Sequence, residues 1–169
     1  MGRGTGAGGV RGVTESAIRI VPFDARFAPA FAALNKRWIT EHFALEPQDL
    51  LLLDDPQRNI IDAGGQIFFA IDGDAVLGTA AAVPYAPSVI ELGKMAVAPE
   101  GQGRGIGRRL GEAVIAYARE SGAQTLFLLS NVKLATALRL YARLGFVRVP
   151  LDHAHGYARA GVRMEMRFD

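Results

Sequence analysis

The sequence predicts a single domain of the α/β (α+β) class, built on a mixed β-sheet. The chain has 169 residues, half of them hydrophobic, which is enough for one substantial core. Apolar runs of strand length alternate with amphipathic stretches of helix length in the order β-α-α-β-β-β-α-β-α-β-β. Because no internal repeat divides the chain, residues 17–169 are expected to fold as one unit, behind a glycine-rich leader at 1–16 that we expect to be disordered.

The first part of the chain carries a strand and two helices. Alternating apolar residues predict a strand over 17–22, and Asp24 is placed to cap the helix that follows. That helix has an apolar stripe with spacings of four and three residues, formed by Phe27, Phe31, Leu34 and Trp38. Pro47 suits the first turn of a second helix, which ends before Pro56.

The remainder begins with a hairpin and then alternates strands with helices. An Asp-Gly turn favours a hairpin, and a short uninterrupted apolar run is typical of a strand that is buried on both faces. The predicted elements are strands at 66–71 and 75–83, a strand at 89–98, a helix at 103–120, a strand at 126–129, a helix that contains Leu134, Leu138 and Tyr141 and ends at Gly145, and a last strand with Val162, Met164, Met166 and Phe168 on one face.

A glycine-rich run lies between the strand at 89–98 and the helix after it. It reads Gln102-Gly103-Arg104-Gly105-Ile106-Gly107-Arg108. Glycines let a backbone approach a ligand closely, and the N–H groups at a helix N-terminus attract anions. The run therefore predicts a pyrophosphate site. It lacks the GxGxxG spacing of a dinucleotide site and the GKS or GKT ending of a P-loop.

Three segments resemble the GCN5-related N-acetyltransferase (GNAT) superfamily over residues 66–149. Gln102, Gly105 and Gly107 fill the QxxGxG pattern of its acyl-CoA pyrophosphate loop. Residues 91–97 look like its central strand, and 137–146 resembles its second cofactor segment, which ends in LYxxLGF. The resemblance implies a central mixed sheet with helices on both faces. The strand at Glu91 is also similar to that of the acetyltransferase domains fused to MarR-type regulators.

By this resemblance, the chain is expected to use acetyl-CoA as cosubstrate. Backbone groups of the central strand would hold the pantetheine arm, and the Asn131 side chain would contact that arm unless it serves only as a turn residue. The cofactor-binding residues implied are Met95, Ala96, Val97, Gln102, Gly103, Arg104, Gly105, Ile106, Gly107, Arg108, Asn131 and Tyr141.

The same resemblance implies two catalytic residues. Glu91 occupies the position of the general base in the histone-acetylating branch of the superfamily, where the base acts through a water. The alternative is a strand glutamate paired with Lys94 or an arginine. Tyr141, the tyrosine of LYxxLGF, would protonate the departing thiolate, and the alternative is a core aromatic residue beside Leu138.

The acceptor pocket is expected at two segments that such domains use for it. One is the end of the first helix, with Trp38, His42 and Phe43, and the other is the loop between the last two strands, with His153, His155 and Tyr157. Ordinary core or surface roles are the alternative for each residue. Three histidines without a cysteine make a poor metal site, so no metal is expected.

The sequence thus favours direct acetyl transfer to a primary amine, since without cysteine no acyl-cysteine intermediate can form. A small-molecule acceptor is expected. A protein lysine, an N-terminal amine, and a non-catalytic acyl-CoA sensor are the alternatives. A net charge of +2 disfavours nucleic acid, and no apolar stretch approaches the length of a membrane span. We expect a cytoplasmic protein, and a homodimer is compatible with such a domain.

Overall fold

The structure is a computed structural model that describes residues 17–152 and 157–169. The predicted leader at 1–16 and the candidate acceptor residues His153 and His155 lie outside the described residues. Seven strands form one sheet in the order β1-β2-β3-β4-β5-β7-β6. The strands are β1 Arg19–Pro22, β2 Gln66–Asp72, β3 Ala75–Ala86, β4 Val89–Val97, β5 Thr125–Ser130, β6 Val147–Val149 and β7 Val162–Arg167.

Four α-helices connect these strands, and the predicted order of elements is confirmed. The helices are α1 Ala28–His42, α2 Pro47–Asp54, α3 Ile106–Glu120 and α4 Ala135–Leu144. Short 3-10 turns precede α1 and follow β4, and a π-helical turn at Gln57–Ile61 leads into β2. Within the described ranges no helix is long and apolar enough to cross a membrane.

The sheet is mixed, as predicted. Strands β1 to β4 pair antiparallel in sequence order, and β7 pairs antiparallel with both β5 and β6. Strands β4 and β5 pair parallel, and α3 makes the crossover between them. Parallel strands need such a crossover, which explains why the glycine-rich run stands between a strand and a helix.

Helices cover both faces of the sheet, which agrees with the expectation. Successive residues of a strand point to opposite faces, and on β2 the side chains of Phe69 and Ala70 enter different cores. The core around Phe69 contains α1 and α2, through residues such as Phe31 and Leu53. The core around Ala70 contains α3, through residues such as Leu110.

Strands β4 and β5 pair over only three residues each. Residues 89–91 face residues 125–127, whereas β4 continues beside β3 as far as Val97. The register of β3 and β4 shifts between Thr79 and Ala81, opposite the stretch of β4 where Lys94 has a φ of 49°. This bulge and the early end of pairing open a wedge between β4 and β5.

Several predicted boundaries differ from the structure, and strand β3 extends to Ala86, three residues beyond its predicted end. Helix α3 begins at Ile106 rather than Gly103, because Gly103 and Gly105 have φ angles of 76° and 72° and so cannot continue a right-handed helix. Strand β1 begins at Arg19, two residues later than predicted.

The apolar stripe of the first helix is also shifted from the prediction. Phe31, Asn35 and Ile39 are the buried residues of α1, while Trp38 is half-buried. Asp24 caps the 3-10 turn before α1, where its carboxylate accepts the N–H of Arg26 at 3.0 Å. The buried stripe of α1 therefore runs through Phe31, Asn35 and Ile39, and it includes a polar residue that the predicted stripe left out.

Candidate active site

The glycine-rich run forms a loop of exposed backbone N–H groups. The 3-10 turn before it is closed by the N–H of Gly101, which donates to the Ala98 carbonyl at 2.9 Å. Arg109 is the first residue whose N–H bonds back along α3, to the Gly105 carbonyl at 3.2 Å. The N–H groups of Ile106, Gly107 and Arg108 precede it and have no partner inside the helix. They lie at the positive end of the helix dipole, which is an anion-binding position.

The three glycines of this loop serve different needs. A side chain at Gly103 or Gly105 would meet no atom within 4 Å, so there the positive φ requires glycine. A Cβ at Gly107 would lie 3.1 Å from a methyl group of Leu140, so this glycine allows α3 to pack against α4. Left-handed backbone at Gly103 and Gly105 and close helix packing at Gly107 therefore explain the three glycines.

The arginine side chains near the loop are bound to other parts of the protein. Arg104 pairs with Asp72 at 3.4 Å, and Arg108 pairs with Glu112 at 2.9 Å. Arg109 donates to the carbonyl of Ile18 at 2.8 Å. The Arg108 pair is largely exposed and therefore weak, so the loop backbone and the Arg108 guanidinium are both available to an anion in the groove.

A cavity of about 250 Å³ fills the wedge between β4 and β5. An open groove along the loop and the start of α4 shares several of its lining residues. The cavity is lined by the predicted cofactor residues Met95, Ala96, Val97, Gln102, Gly107, Asn131 and Tyr141, and the groove adds Gly103, Gly105, Ile106 and Arg108. Of the predicted cofactor set, only Arg104 lines neither.

The backbone of β4 presents N–H groups to this cavity. Ala98 donates its N–H to the Leu77 carbonyl on the β3 side at 2.8 Å. Since N–H groups alternate in direction along a strand, those of Val97 and Met95 point to the other side, where β5 has separated. Two amide donors in a row along one cavity wall suit the carbonyl groups of an extended ligand.

Glu91 lies at the last residue pair between β4 and β5 and lines the cavity. Its carboxylate makes no hydrogen bond or ion pair with the residues at 17–152 and 157–169. The alternative pairing with Lys94 is absent there, because Lys94 binds Asp49. Burial raises the pKa of Glu91, and the positive charges of Lys94, Arg163 and Arg159 oppose this shift only in part. Such a carboxylate is a stronger base than an exposed one.

Tyr141 lines the same cavity from α4. Its ring packs edge-on against Phe146, with ring centroids 6.2 Å apart, while its hydroxyl bonds to none of the described residues. Burial raises the pKa of Tyr141 to about 12. The hydroxyl therefore keeps its proton at neutral pH and can donate it within the cavity.

A buried group of charged residues forms the wall beyond Glu91, and the sequence did not reveal it. Lys94 Nζ lies 2.7 Å from Asp49 Oδ1, with 5% and 0% of the two side chains exposed. Arg159 donates to both oxygens of Asp49, at 2.8 and 2.7 Å, and to Glu46 at 2.9 Å. This charged cluster of Glu46, Asp49, Lys94 and Arg159 joins α2, β4 and the segment before β7.

The charged cluster shifts the pKa values of its members. Burial alone would raise the pKa of Asp49, but hydrogen bonds from Arg159, Lys94 and the Glu46 backbone outweigh it and lower the pKa to about 2. Burial lowers the pKa of Lys94, although its hydrogen bond to Asp49 opposes the change. Asp49 is thus fully ionised at neutral pH, as a buried partner for two cations must be.

The four described acceptor candidates are divided between the cavity and the groove. Trp38 lines both, Phe43 and Tyr157 line the cavity, and His42 lines the groove. The Tyr157 hydroxyl accepts a hydrogen bond from Lys94 at 2.8 Å, and burial, with the charges of Glu91 and Asp49, raises the pKa of Tyr157. Tyr157 therefore belongs to the wall that the charged cluster forms.

Asn131 lines the cavity, but both ends of its side chain are engaged within the protein. Its Nδ2 donates to the Arg159 carbonyl at 2.9 Å, and its Oδ1 accepts the N–H of Lys133 at 3.0 Å. These bonds order the turn after β5 and attach the segment before β7 to it. The geometry favours the alternative stated for Asn131, a turn residue.

Replacing Asp49 with asparagine is expected to destabilise the protein by about 3 kcal/mol at pH 7, because it leaves Lys94 and Arg159 buried beside a neutral group. In the folded protein the pKa of Asp49 is about 2, below its ordinary value of 3.8. The Asp49 carboxylate therefore adds to the free energy of unfolding above about pH 4, and this stabilisation is lost as the pH falls towards 2. Urea unfolding should therefore show wild type and Asp49→Asn converging below pH 4. As control, Asp54→Asn, in an exposed pair with Lys36, should cost less than about 1 kcal/mol. A stability difference that does not change between pH 7 and 3 would contradict the assignment.

The sequence model of the acetyltransferase (GNAT) family matches residues 29–146. Among curated relatives, the uncharacterized N-acetyltransferase YvbK of Bacillus subtilis (strain 168) is 32% identical over 111 residues, which are 64% of this chain and 72% of YvbK. Streptothricin acetyltransferase of Streptomyces lavendulae is 38% identical over 55% of this chain, and mycothiol acetyltransferase of Rhodococcus opacus (strain B4) is 42% identical over 44% of it. The chain spans only 50% and 24% of these two proteins.

Solved structures agree with the family assignment. A GNAT acetyltransferase from Staphylococcus aureus Mu50 superposes with a TM-score of 0.80 at 19% identity, over 89% of this chain and 99% of that chain. A Bacillus subtilis acetyltransferase in complex with CoA superposes with a TM-score of 0.69 at 20% identity, over 90% and 99% of the two chains. These comparisons confirm the enzyme class expected from the sequence, an acyl-CoA-dependent N-acetyltransferase. The chain belongs to the acetyltransferase (GNAT) family.

Proposed function

We propose that the protein transfers an acetyl group from acetyl-CoA to the amine of a small molecule, by direct attack of the amine on the thioester. The observation that carries this proposal is the continuity of the site. A loop of N–H groups leads along a groove into a cavity that Glu91 and Tyr141 both line, and the Glu91 carboxylate has no partner among the described residues. No cysteine is available for an acyl-enzyme intermediate, which supports direct transfer.

Each chemical requirement has a candidate group. The N–H groups of the loop would bind the pyrophosphate, and those of Met95 and Val97 would hold the pantetheine arm and the thioester oxygen. Glu91, through a water, would take a proton from the amine as its nitrogen bonds to the carbonyl carbon. Tyr141 would give its proton to the sulfur as the carbon–sulfur bond breaks. Placing both reactants in one cavity would supply much of the rate.

The size of the cavity favours a small acceptor over a protein chain. About 250 Å³ must hold both the thioester end and the reacting amine, and α1 and the segment before β7 bound it. Two of the relatives are named mycothiol acetyltransferase and streptothricin acetyltransferase, and names that refer to small molecules are consistent with a small acceptor. A protein lysine or N-terminal amine is the rival acceptor, and a sensor without acceptor chemistry is the rival function.

Three further expectations from the sequence concern the location of the protein, its oligomeric state and its similarity to one group of acetyltransferases. We expect the protein to act in the cytoplasm, and a homodimer is compatible with such a domain. The similarity of the Glu91 strand to acetyltransferase domains fused to MarR-type regulators is a hypothesis drawn from residues 91–97 alone.

Calorimetric titration with acetyl-CoA is expected to show saturable binding that adenosine diphosphate alone and a nicotinamide dinucleotide do not reproduce. Gly105→Glu should raise the Kd for acetyl-CoA by about tenfold or more, because it sets negative charge beside the loop amides. Gly122→Glu is the matched control: Gly122 also has a positive φ and open space around it, but it lies at the far end of α3. Equal Kd values for the two variants would exclude the loop as the pyrophosphate site.

Glu91→Gln is expected to lower kcat/KM for the amine by about 10² to 10⁴ while the Kd for acetyl-CoA stays unchanged. In the wild type, kcat/KM should rise with pH as Glu91 loses its proton, above the ordinary carboxyl range because burial raises its pKa. The variant should lack this step. Steady-state rates across pH, with exposed Glu120→Gln as control, check this, and an unchanged rate and pH profile would remove Glu91 from the mechanism.

Tyr141→Phe is expected to lower kcat by about 10²-fold and to change acetyl-CoA affinity little, since only the proton donor is removed. The measurement compares kcat for acetyl-CoA with kcat for a second thioester whose thiol has a lower pKa. The thiolate of the second thioester leaves more readily and needs the proton donor less, so the loss of kcat in Tyr141→Phe should be smaller with it. Tyr117→Phe on α3, which lies outside the cavity, serves as control. If the variant instead loses affinity at unchanged kcat, Tyr141 acts through packing.

A further inference from the structure

The cavity has two ends that differ in chemistry. One end adjoins the loop and contains the candidate cofactor residues. The other, here called the acceptor end, adjoins the charged cluster. The described residues that line the acceptor end are Asn35, Trp38, Phe43, Glu91, Lys94, Tyr157 and Arg159.

Both basic side chains at the acceptor end already have carboxylate partners. Lys94 binds Asp49 and also donates to the Tyr157 hydroxyl. Arg159 forms a two-bond pair with Asp49 and a further bond with Glu46. Two positive charges are thus balanced by two negative charges inside the wall, and neither cation is available to a substrate carboxylate without breaking a buried pair.

Two polar groups at the acceptor end present hydrogen-bond acceptors, beside the Tyr157 hydroxyl, which accepts a bond from Lys94 and keeps a proton to donate. The Glu91 carboxylate has no partner among the residues described. Asn35 is 1% exposed, and its Nδ2 donates to the Phe31 carbonyl at 3.0 Å, while its oxygen has no bond within the described part of the chain. A charged carboxylate and an amide oxygen suit the N–H groups of an ammonium and repel a second carboxylate.

The rest of the acceptor end is aromatic. The rings of Trp38 and Phe43 lie 6.1 Å apart at the end of α1. Lys133 Nζ already lies 3.8 Å from the centroid of the Phe43 ring, so Trp38 is the ring of this pair with no cation over it among the described residues. Aromatic faces stabilise cations and apolar groups, whereas a carboxylate gains nothing from them and loses its hydration. The wall thus favours the same class of ligand as the polar groups.

We propose that the acceptor is a cationic amine without a carboxylate near its amino group, rather than a free amino acid. This inference rests on the proposed acetyl transfer and adds the substrate class. The charged cluster has a specificity role in it: by pairing Lys94 and Arg159 internally, Asp49 and Glu46 withhold from the acceptor end the cations that would bind an α-carboxylate.

The test compares acceptors that differ only at the carboxylate. Phenylalanine, phenylalaninamide and phenethylamine form one set, and lysine, lysinamide and cadaverine form another. The amide matches the acid in size and lacks its charge. We expect kcat/KM for each amide to exceed that for its acid by about tenfold or more, since like charges in a buried site repel strongly. Amides and acids with equal rates, or faster acids, would overturn the proposal.

Failure of the proposed function is distinguishable from failure of this inference. If acetyl-CoA does not bind in calorimetry, the acetyl-transfer proposal itself fails. If acetyl-CoA binds but no amine of either set is acetylated, the cofactor assignment stands and the acetyl-transfer proposal fails in favour of the sensor. If the amino acids are acetylated as fast as their amides or faster, acetyl transfer stands and the substrate class proposed here is wrong.

A second variant tests the specificity role of the cluster. Glu46→Gln keeps an oxygen for the N–H of Ala158 but removes one negative charge from Arg159. We expect the amide-to-acid ratio of kcat/KM to fall several-fold. Glu41→Gln, which alters an exposed pair with Arg37 on α1, should leave the ratio unchanged. An unchanged ratio in Glu46→Gln would contradict the assignment of specificity to the paired charges.

Discussion

The early end of pairing between β4 and β5 is the constraint on which the rest of the site depends. Only residues 89–91 of β4 face β5, and beyond Glu91 the two strands separate. Backbone N–H groups that would have bonded to β5 instead face a cavity. Since unpaired backbone donors inside a protein are costly, this part of the sheet is suited to a ligand that supplies carbonyl oxygens.

The position of Glu91 follows from the same separation. As the last paired residue, it is held by strand geometry on one side and reaches the cavity on the other. Gly93 leaves room for it, because a Cβ there would lie 3.3 Å from the Glu91 carboxylate. The loop after β4 then turns into α3, which places its N–H groups at the open end of the same space. One change in strand pairing thus aligns three parts of the proposed mechanism.

The charged cluster holds the opposite wall in place. Asp49, which is fully buried, joins α2 to β4 through Lys94 and to the segment before β7 through Arg159. Breaking such a buried set costs more than an exposed ion pair contributes. The cluster thereby fixes the shape of the acceptor end and, by our proposal, its preference for cationic amines.

The sequence predicts the order of elements and the glycine loop before α3 well, because both depend on local patterns. Hydrophobic periodicity marks the strands and helices, and the glycines at 103 and 105 mark positive φ angles. The charged cluster was not predicted because Lys94 and Arg159 are 45 and 110 residues from Asp49 in the sequence. No local pattern pairs residues that are so far apart. A second charged residue, Lys94, inside the strand 89–97 beside Glu91 was the signal that could have indicated it. Asn35 was missed because the predicted stripe of the first helix contained apolar residues alone.

Hydrogen exchange of the backbone amides, with and without acetyl-CoA, tests the central claim most directly. The account predicts that acetyl-CoA slows exchange at Met95 and Val97 and at residues 103–108, while the amides of β1 and β6 exchange at unchanged rates. Protection at the loop and at β4 together would support one continuous cofactor site. Binding without protection at Met95 and Val97 would contradict the claim that the separation of β4 from β5 creates the site.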